Sequence, residues 1–384
     1  MPKTYPKMTS ITLYDRGLLL VIATLLAFGL LMVASSSIVI SEHEYGQPFH
    51  FFFHQLFYLT LGIATGIIIV QVKTTYWQQI SPMLLVLSIG LLFLVLLPGI
   101  GRQVNGSIRW LGFGPFGLQV SEFAKLTIIV YLAGYLVRQE KQVKNQLRGF
   151  IKPLMVLTII TFLLLREPDF GAATVILLTS LGMLFLAGVR IWHFSILLMG
   201  VAVILAGLAI SSPYRLARLT TFLNPWANQF DSGYQLTQSL IAFGRGSWLG
   251  VGLGESIQKL FYLPEAHTDF LFAVLTEELG LIGGLFMILL FSLLVWRALT
   301  IGYRCFNMGQ RFSAYLAYGI GLNIALQVMI NIGVNTGVLP TKGLTLPLMS
   351  YGGSSLLITC IMLALLLRID HEYRLTQFGF RIYD

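Results

Sequence analysis

The sequence predicts an all-α polytopic membrane protein of about ten transmembrane helices, with both termini cytoplasmic and a large extracytoplasmic loop between helices 7 and 8. Composition, apolar segment length and the distribution of Lys and Arg carry this prediction. Of the 384 residues, 56% are hydrophobic and 11% charged, whereas soluble domains are about 25% charged. Mean hydropathy is +0.79. Ten segments supply the roughly 20 predominantly apolar residues of a spanning helix.

After a polar tail (1–16) the first span covers 17–40, followed by spans at 52–71 and 81–98. The fourth, 120–137, opens within QVSEFAKL. The fifth, 152–166, is short and ends at Arg166-Glu167-Pro168-Asp169, where proline cannot continue a helix. Spans six and seven cover 171–189 and 192–211, and a polar loop of about 57 residues occupies 212–268. The eighth to tenth spans cover 270–297, 312–333 and 347–368, ahead of a tail at 371–384. The whole chain, 1–384, reads as one membrane domain.

Sixteen of the 25 Lys and Arg residues fall on the side of the termini, eight on the other, and Lys125 within a span. Four of the eight (Arg215, Arg218, Arg245 and Lys259) share the long loop, where the bias loses force. The richer side is cytoplasmic by the positive-inside rule, which puts the 212–268 loop outside. The net charge of +9 is that bias plus attraction to anionic membrane lipids, and calls for no nucleic-acid partner. The first apolar run is too long for a cleavable signal. Cys305 and Cys360 read as inert packing thiols.

A loop as long as 212–268 is expected to fold or function. Within it, GYQLTQSLIAFG has Leu236, Leu240, Ile241 and Phe243 at helical spacing, an amphipathic helix for the membrane interface. The glycines at 244, 246, 250, 252 and 254 follow no strand, so they read as a mobile, close-packing loop rather than a nucleotide fingerprint. Absence of an internal repeat counts against a secondary transporter.

Four constellations could carry chemistry. In LPEAHTDFLFAVLTEELG, His267 and Asp269 stand at the mouth of the eighth span, with a supporting acidic layer of Glu277 and Glu278 roughly 12 Å below. Thr268 as N-cap and Asp269 at the first helical position is the bland reading. The second acidic layer exceeds what capping needs, and an outward carboxylate suits a general base. Glu122 and Lys125 share one face of the fourth span, as a stabilising pair or a phosphate holder. Arg102 and Arg109 lie just before them, cations on the outer side that point to an anionic lipid substrate. Asp169 reads first as a cap for the sixth span. In LPTKGLTLPLMSYGGSS, the prolines and glycines imply irregular backbone, tolerated in a membrane only where protein buries it or a cavity solvates it. Lys342, Thr345, Ser350 and Tyr351 would then face the cavity. The histidines show no metal-ligand spacing.

PEAHTDFLFAVLTEELG, LPTKGLTLPLMSYGGSSLL, RW…SEFAKL and EPDFG resemble the SEDS family of membrane proteins, over nearly the whole chain from Tyr14 to Asp370. TKGLTLPL and the YDR opening favour its cell-division branch over its elongation branch. Glu167 departs from the family, where Gln before Pro-Asp is common. The resemblance implies a ten-helix fold and peptidoglycan glycosyltransferase activity on lipid II. It matches the family's essential aspartate to Asp269, its fourth-span Glu and Lys to Glu122 and Lys125, and its Pro-Asp acid to Asp169.

With Asp269 as general base, the GlcNAc 4-hydroxyl of lipid II would displace undecaprenyl diphosphate with inversion at C1. Lys125, Arg109 and Lys342 would stabilise the leaving group, with His267 and Ser350 also lining the substrate site. No cofactor is required by the sequence; a divalent cation (Mg or Mn) would suit the diphosphate. Implied partners are a class B penicillin-binding transpeptidase of division (FtsI type) and its regulators (FtsQ-FtsL-FtsB type). A lipid II flippase and a non-catalytic divisome scaffold are the alternatives.

Overall fold

The computed structural model describes residues 14–104, 107–113, 116–146, 148–189, 191–210 and 221–377. Most of the N-terminal tail, half of the C-terminal tail, Arg190, Arg215 and Arg218 therefore lie outside the described residues. The helices are α1 (Arg16–Tyr45), α2 (His50–Gln71), α3 (Thr74–Val95), α4 (Val120–Arg138), α5 (Glu140–Asn145), α6 (Arg148–Arg166), α7 (Phe170–Leu186), α8 (Ile191–Ile210), α9 (Tyr234–Gly246), α10 (Leu271–Asn307), α11 (Arg311–Asn335) and α12 (Gly353–Gln377). Each of the ten expected spans falls on one of them. Among the described residues, eight helices are long and apolar enough to cross a membrane, while α7, with 17 residues, and the apolar part of α8 are shorter.

The bundle centres on α4, most of whose apolar stretch is buried against α3, α7 and α11. Helices α10 and α11 pack as one pair, α2 and α12 as another, and α1 bridges α2 to α10. Helices α2 and α3 turn many large apolar side chains outward, among them Phe53, Ile67, Met83 and Val86. Those residues have no protein to cover them, as expected of a surface solvated by lipid.

The chain is not wholly α-helical. Between the third and fourth expected spans lies a three-stranded antiparallel sheet, β1 (Gly101–Val104), β2 (Ser107–Phe113) and β3 (Phe116–Gln119), in sequential order. Seven residues suffice for β2 because β1 and β3 satisfy its backbone on both edges. Helix α3 begins at Thr74, seven residues before the expected start, because the Thr74 N–H and hydroxyl both donate to Glu372 of α12. Conversely α12 begins at Gly353 rather than 347, since the segment before it is held in irregular form by side chains described below.

Helix α10 runs 37 residues, ten beyond the expected end, because no helix breaker intervenes before Gly309. Gly280 interrupts it at φ 70° and ψ −173°, a conformation open only to glycine. The loop after α9 supplies the missing hydrogen bonds. Val251 and Gly252 N–H donate to the carbonyls of Glu277 and Glu278, and Leu281 and Ile282 N–H donate to those of Ser247 and Trp248. The glycine run is therefore close-packed as expected but pinned rather than mobile. Helix α9 is also as expected in position, yet it buries Leu236, Ser239 and Ala242 against α10 and α11.

Two helices measure one membrane thickness. Asp15, the N-cap of α1, binds Arg297 of α10 at 2.9 Å. Further along, Ser35 of α1 donates to Glu278 of α10 at 2.7 Å, and Lys259 binds the same carboxylate at 2.8 Å. At about 1.5 Å per residue, these levels lie ~30 Å apart along α1 and ~29 Å apart along α10, which is the depth of a hydrocarbon core. The ends of the described chain and the α2–α3 turn gather at the first level, where Tyr14 stacks on His371 at 4.9 Å. The sheet, the α6–α7 break and the segments around Asp269 lie at the far end.

Lys259 and Glu278 are 4% and 0% exposed, so neither charge can be answered by water. Glu278→Ala is expected to cost about 3–5 kcal/mol by leaving Lys259 uncompensated, read as chemical unfolding in detergent. Replacing both residues with Met and Leu should be markedly milder.

Candidate active site at the far end of the bundle

Asp269 lies in a turn before α10, not on its first helical position. The helix starts at Leu271 with Phe270 as N-cap and no side-chain cap, while the Thr268 hydroxyl donates to Glu265 at 2.6 Å. The expected capping roles of both residues therefore fall away. The cap function comes from another helix: Asn335 Oδ1 of α11 accepts from Ala273 N at 3.1 Å. Asn335 Nδ2 and Asn331 Nδ2 donate to the main-chain carbonyl of Asp269 at 3.0 and 2.8 Å. Asn331 Nδ2 also reaches the Leu344 carbonyl at 2.6 Å.

One face of α11 thus grips both the turn carrying Asp269 and the segment carrying Lys342. Gly343 abuts the carboxylate so closely that a Cβ there would lie 2.9 Å from Asp269 Oδ2. The Lys342 ammonium sits 4.0 Å from the centre of the Phe170 ring. Asp269 is half-buried, open enough to meet a substrate. Measured from Glu278, the start of α10 is about 10 Å further out along the helix axis, so the carboxylate stands at headgroup level.

His267 is buried against Phe51 (4.8 Å) and Tyr351 (5.6 Å), and its carbonyl accepts from Tyr351 N at 2.9 Å. Burial holds its imidazole below the ordinary range, opposed by nearby Glu265, which leaves it neutral at neutral pH. The Tyr351 hydroxyl meets His54 Nδ1 at 2.8 Å. Ser350 Oγ accepts from Leu346 N at 2.9 Å, and Gln55 Nε2 donates to the Ser350 carbonyl at 3.2 Å. These contacts keep residues up to Gly352 out of the helix, and they give Ser350 a structural task within the turn.

The remaining predicted residues form neighbouring clusters. Lys125 and Glu122 make a two-pronged ion pair at 2.7 and 2.8 Å, with Lys125 only 1% exposed. Arg109, on β2, donates to the main-chain carbonyls of Glu167 (3.2 Å) and Pro168 (2.8 Å), locking the break between α6 and α7. Asp169 caps α7 through Ala172 N at 3.1 Å, and its other oxygen has no hydrogen-bond partner. Glu277 binds Arg245 at 2.8 Å and Ser256, and Glu278 binds Lys259 and Ser35. That acidic layer fastens the loop to α10 and α1 instead of facing Asp269.

Sequence reasoning missed Asn331 and Asn335. The available signal was Asn323, Gln327, Asn331 and Asn335 at four-residue spacing on an apolar helix, a stripe of amides that must find partners inside the protein. Among the described residues no three His, Cys, Asp or Glu side chains gather as a metal site. The arrangement offers a carboxylate with a fixed main chain, placed to accept a proton, and a lysine one residue from the glycine that abuts it.

The model of the cell cycle protein family that takes in FtsW, RodA and SpoVE matches residues 16–375. The chain is 56% identical over 376 residues to a probable peptidoglycan glycosyltransferase FtsW of Legionella pneumophila, across 98% of this chain and 95% of that one. It is 58% identical over 359 residues to the corresponding protein of Coxiella burnetii, across 94% and 96%. Among solved structures it resembles a chain of a peptidoglycan synthase complex with a TM-score of 0.77, at 26% identity across 94% and 98% of the two chains. The rod shape determining protein RodA of Thermus thermophilus matches with a TM-score of 0.69, at 26% identity across 94% and 97%.

Asn335→Ala removes one of two donors from the Asp269 carbonyl and one of two acceptors of Ala273 N–H, which also donates to the Phe270 carbonyl. The expected loss is about 0.5–1.5 kcal/mol for each hydrogen bond removed, measured by unfolding in detergent. Asn335→Asp should keep the contact to Ala273 and lose the one to Asp269.

Proposed function

Because the chain belongs to the cell cycle protein family of FtsW, RodA and SpoVE, we propose that it is a peptidoglycan glycosyltransferase polymerising lipid II into β-1,4-linked glycan strands at the division septum. The observation that carries the mechanism is the placement of Asp269. It lies in a turn before α10, whose N-cap is Phe270, stands at headgroup level and is held by two amides that bind its own backbone. A base placed so is ready before the substrate arrives, which is the condition for efficient proton transfer.

In the proposed step Asp269 accepts the proton of the GlcNAc 4-hydroxyl of one lipid II. The oxygen lone pair forms the new bond to C1 of the growing strand's MurNAc. The C1–O bond to undecaprenyl diphosphate breaks, and its electron pair leaves with the diphosphate. Attack from the opposite face converts the α-linked donor to a β-linkage. Lys342, next to the glycine that abuts Asp269, and Arg109 at the α6–α7 break would stabilise charge developing on the leaving group. Lys125, sealed against Glu122, would serve as a fixed wall of the substrate groove. His267 and Ser350 would shape the floor, and Asp169 would keep α7 in register with Lys342. A divalent cation, Mg or Mn, is compatible with the doubly charged leaving group, and no described residue requires one.

The whole chain is read as one multi-pass domain of the bacterial inner membrane, with termini in the cytoplasm and Asp269 facing the periplasm. Similarity to a chain of a peptidoglycan synthase complex supports a penicillin-binding transpeptidase as partner, and the division branch brings regulators of the FtsQ-FtsL-FtsB type.

Glycan polymerisation from lipid II by the purified protein with its transpeptidase partner tests this reading. Asp269→Asn should lower the rate by about 10²–10⁴-fold without loss of folded protein, because Asn331 and Asn335 hold a main-chain carbonyl that the substitution leaves intact. Equal rates would remove Asp269 as the base. Absence of product from folded wild type would favour lipid flipping or scaffolding.

A further inference from the structure

Glu167 is a buried acid without a task in the step above. It is wholly inaccessible, and neither carboxylate oxygen has a hydrogen-bond partner. Two residues on, Asp169 uses one oxygen to cap α7 and leaves the other unpartnered. Three buried carboxylate oxygens without donors therefore lie within one break. The guanidinium that could neutralise them, Arg109, is directed at the carbonyls of Glu167 and Pro168 instead. A carboxylate left so would carry an uncompensated buried charge, and such groups keep their proton instead. The acid form also supplies an O–H donor, which is what this group of acceptors lacks.

We propose that Glu167 is held as a neutral carboxylic acid and acts as a positioning residue for the reaction: in that form it supports the start of α7, on which Lys342 rests, and losing its proton disarranges Lys342 and Gly343 beside Asp269. The path from one acid to the other is short. Phe170, the first residue of α7, places its ring 4.0 Å from the Lys342 ammonium. Gly171 packs so tightly that a Cβ there would lie 3.0 Å from the Leu344 side chain and 3.3 Å from the Gly343 carbonyl. Gly343 in turn abuts the Asp269 carboxylate. A second negative charge at the break would repel the Asp169 cap and loosen that contact series at its root.

The charged groups acting on Glu167 are Asp169 at the head of α7 and Arg109 on β2. Adjacent Arg166 is exposed, and Lys342 lies beyond the Phe170 ring. Burial first and Asp169 second push the Glu167 carboxyl up to about 8, with Arg109 opposing. Its folded value lies above its unfolded one. Its contribution to stability is therefore complete below the ordinary carboxylate range and is lost as pH rises toward about 8.

The inference rests on the polymerase reading, so the test has two arms. The first is the rate of lipid II polymerisation from about pH 6.5 to about pH 9.5 for wild type and Glu167→Gln, each in complex with the transpeptidase. Wild type should lose rate above about pH 8, approaching about tenfold per unit. The Gln variant, a neutral isostere, should match wild type near pH 7 and keep its rate further into alkali. The second arm is thermal unfolding of the same proteins. Glu167→Gln should gain in Tm over wild type as pH rises from about 4.5 to about 8, with no further gain beyond.

Superimposable alkaline limbs, or a folded Gln variant inactive at pH 7, would overturn the proposal. So would failure of the isosteric variant to fold. Absence of product from wild type would sink the polymerase reading instead. The thermal arm then judges Glu167 alone, and a Tm difference that does not vary with pH would overturn its assignment as a neutral acid.

Discussion

Backbone that leaves helical form at the edge of a membrane must find its hydrogen bonds inside the protein, and the far end of this bundle is built around that requirement. The turn before α10 has its carbonyl taken by Asn331 and Asn335. The irregular segment before α12 is held by Asn331, Ser350 and Gln55. The break between α6 and α7 is closed by Arg109, and the interruption at Gly280 by the loop after α9. Each irregular segment is served by side chains or backbone from a different element, so none can move far alone.

Preorganisation follows from the same arrangement. Asp269 is held through its main chain, which fixes where its side chain leaves the turn. Helix α11 is suited to this because more than half of it is buried and it packs against α4, α7 and α10. A residue anchored to such a helix inherits its rigidity, and proton transfer over hydrogen-bond distances gains from that.

Ion pairs mark the membrane levels instead of filling the site. Asp15 with Arg297, and Lys259 with Glu278, tie α1 to α10 at two depths separated by the thickness of a hydrocarbon core. Glu122 with Lys125 is sealed within α4. Pairs of this kind contribute little net energy over well-packed apolar residues, but they fix which helices meet and at what register. Glu167 stands apart as a buried acid whose carboxylate makes no ion pair or hydrogen bond, and its chemistry differs accordingly.

By itself the sequence determined the membrane class, the ten apolar segments, the break at Pro168 and the irregular stretch before the last helix, and it singled out Asp269 as the candidate acid. These are local properties: apolar run length, proline and glycine placement, and the presence of ionisable groups where water is scarce. Only the tertiary structure decided that Thr268 and Asp269 do not cap α10, since the side-chain acceptor for Ala273 N–H comes from Asn335, 62 residues away. Only it could assign Glu277 and Glu278 to the loop and α1, Arg109 to the break, and Glu167 to a place without a hydrogen-bond partner. A carboxylate reads the same in sequence whether it is paired, capping or unpartnered. Which of these it becomes depends on groups that the fold brings from distant segments, and hydrogen bonds and charge pairs act only over a few ångströms of that final arrangement.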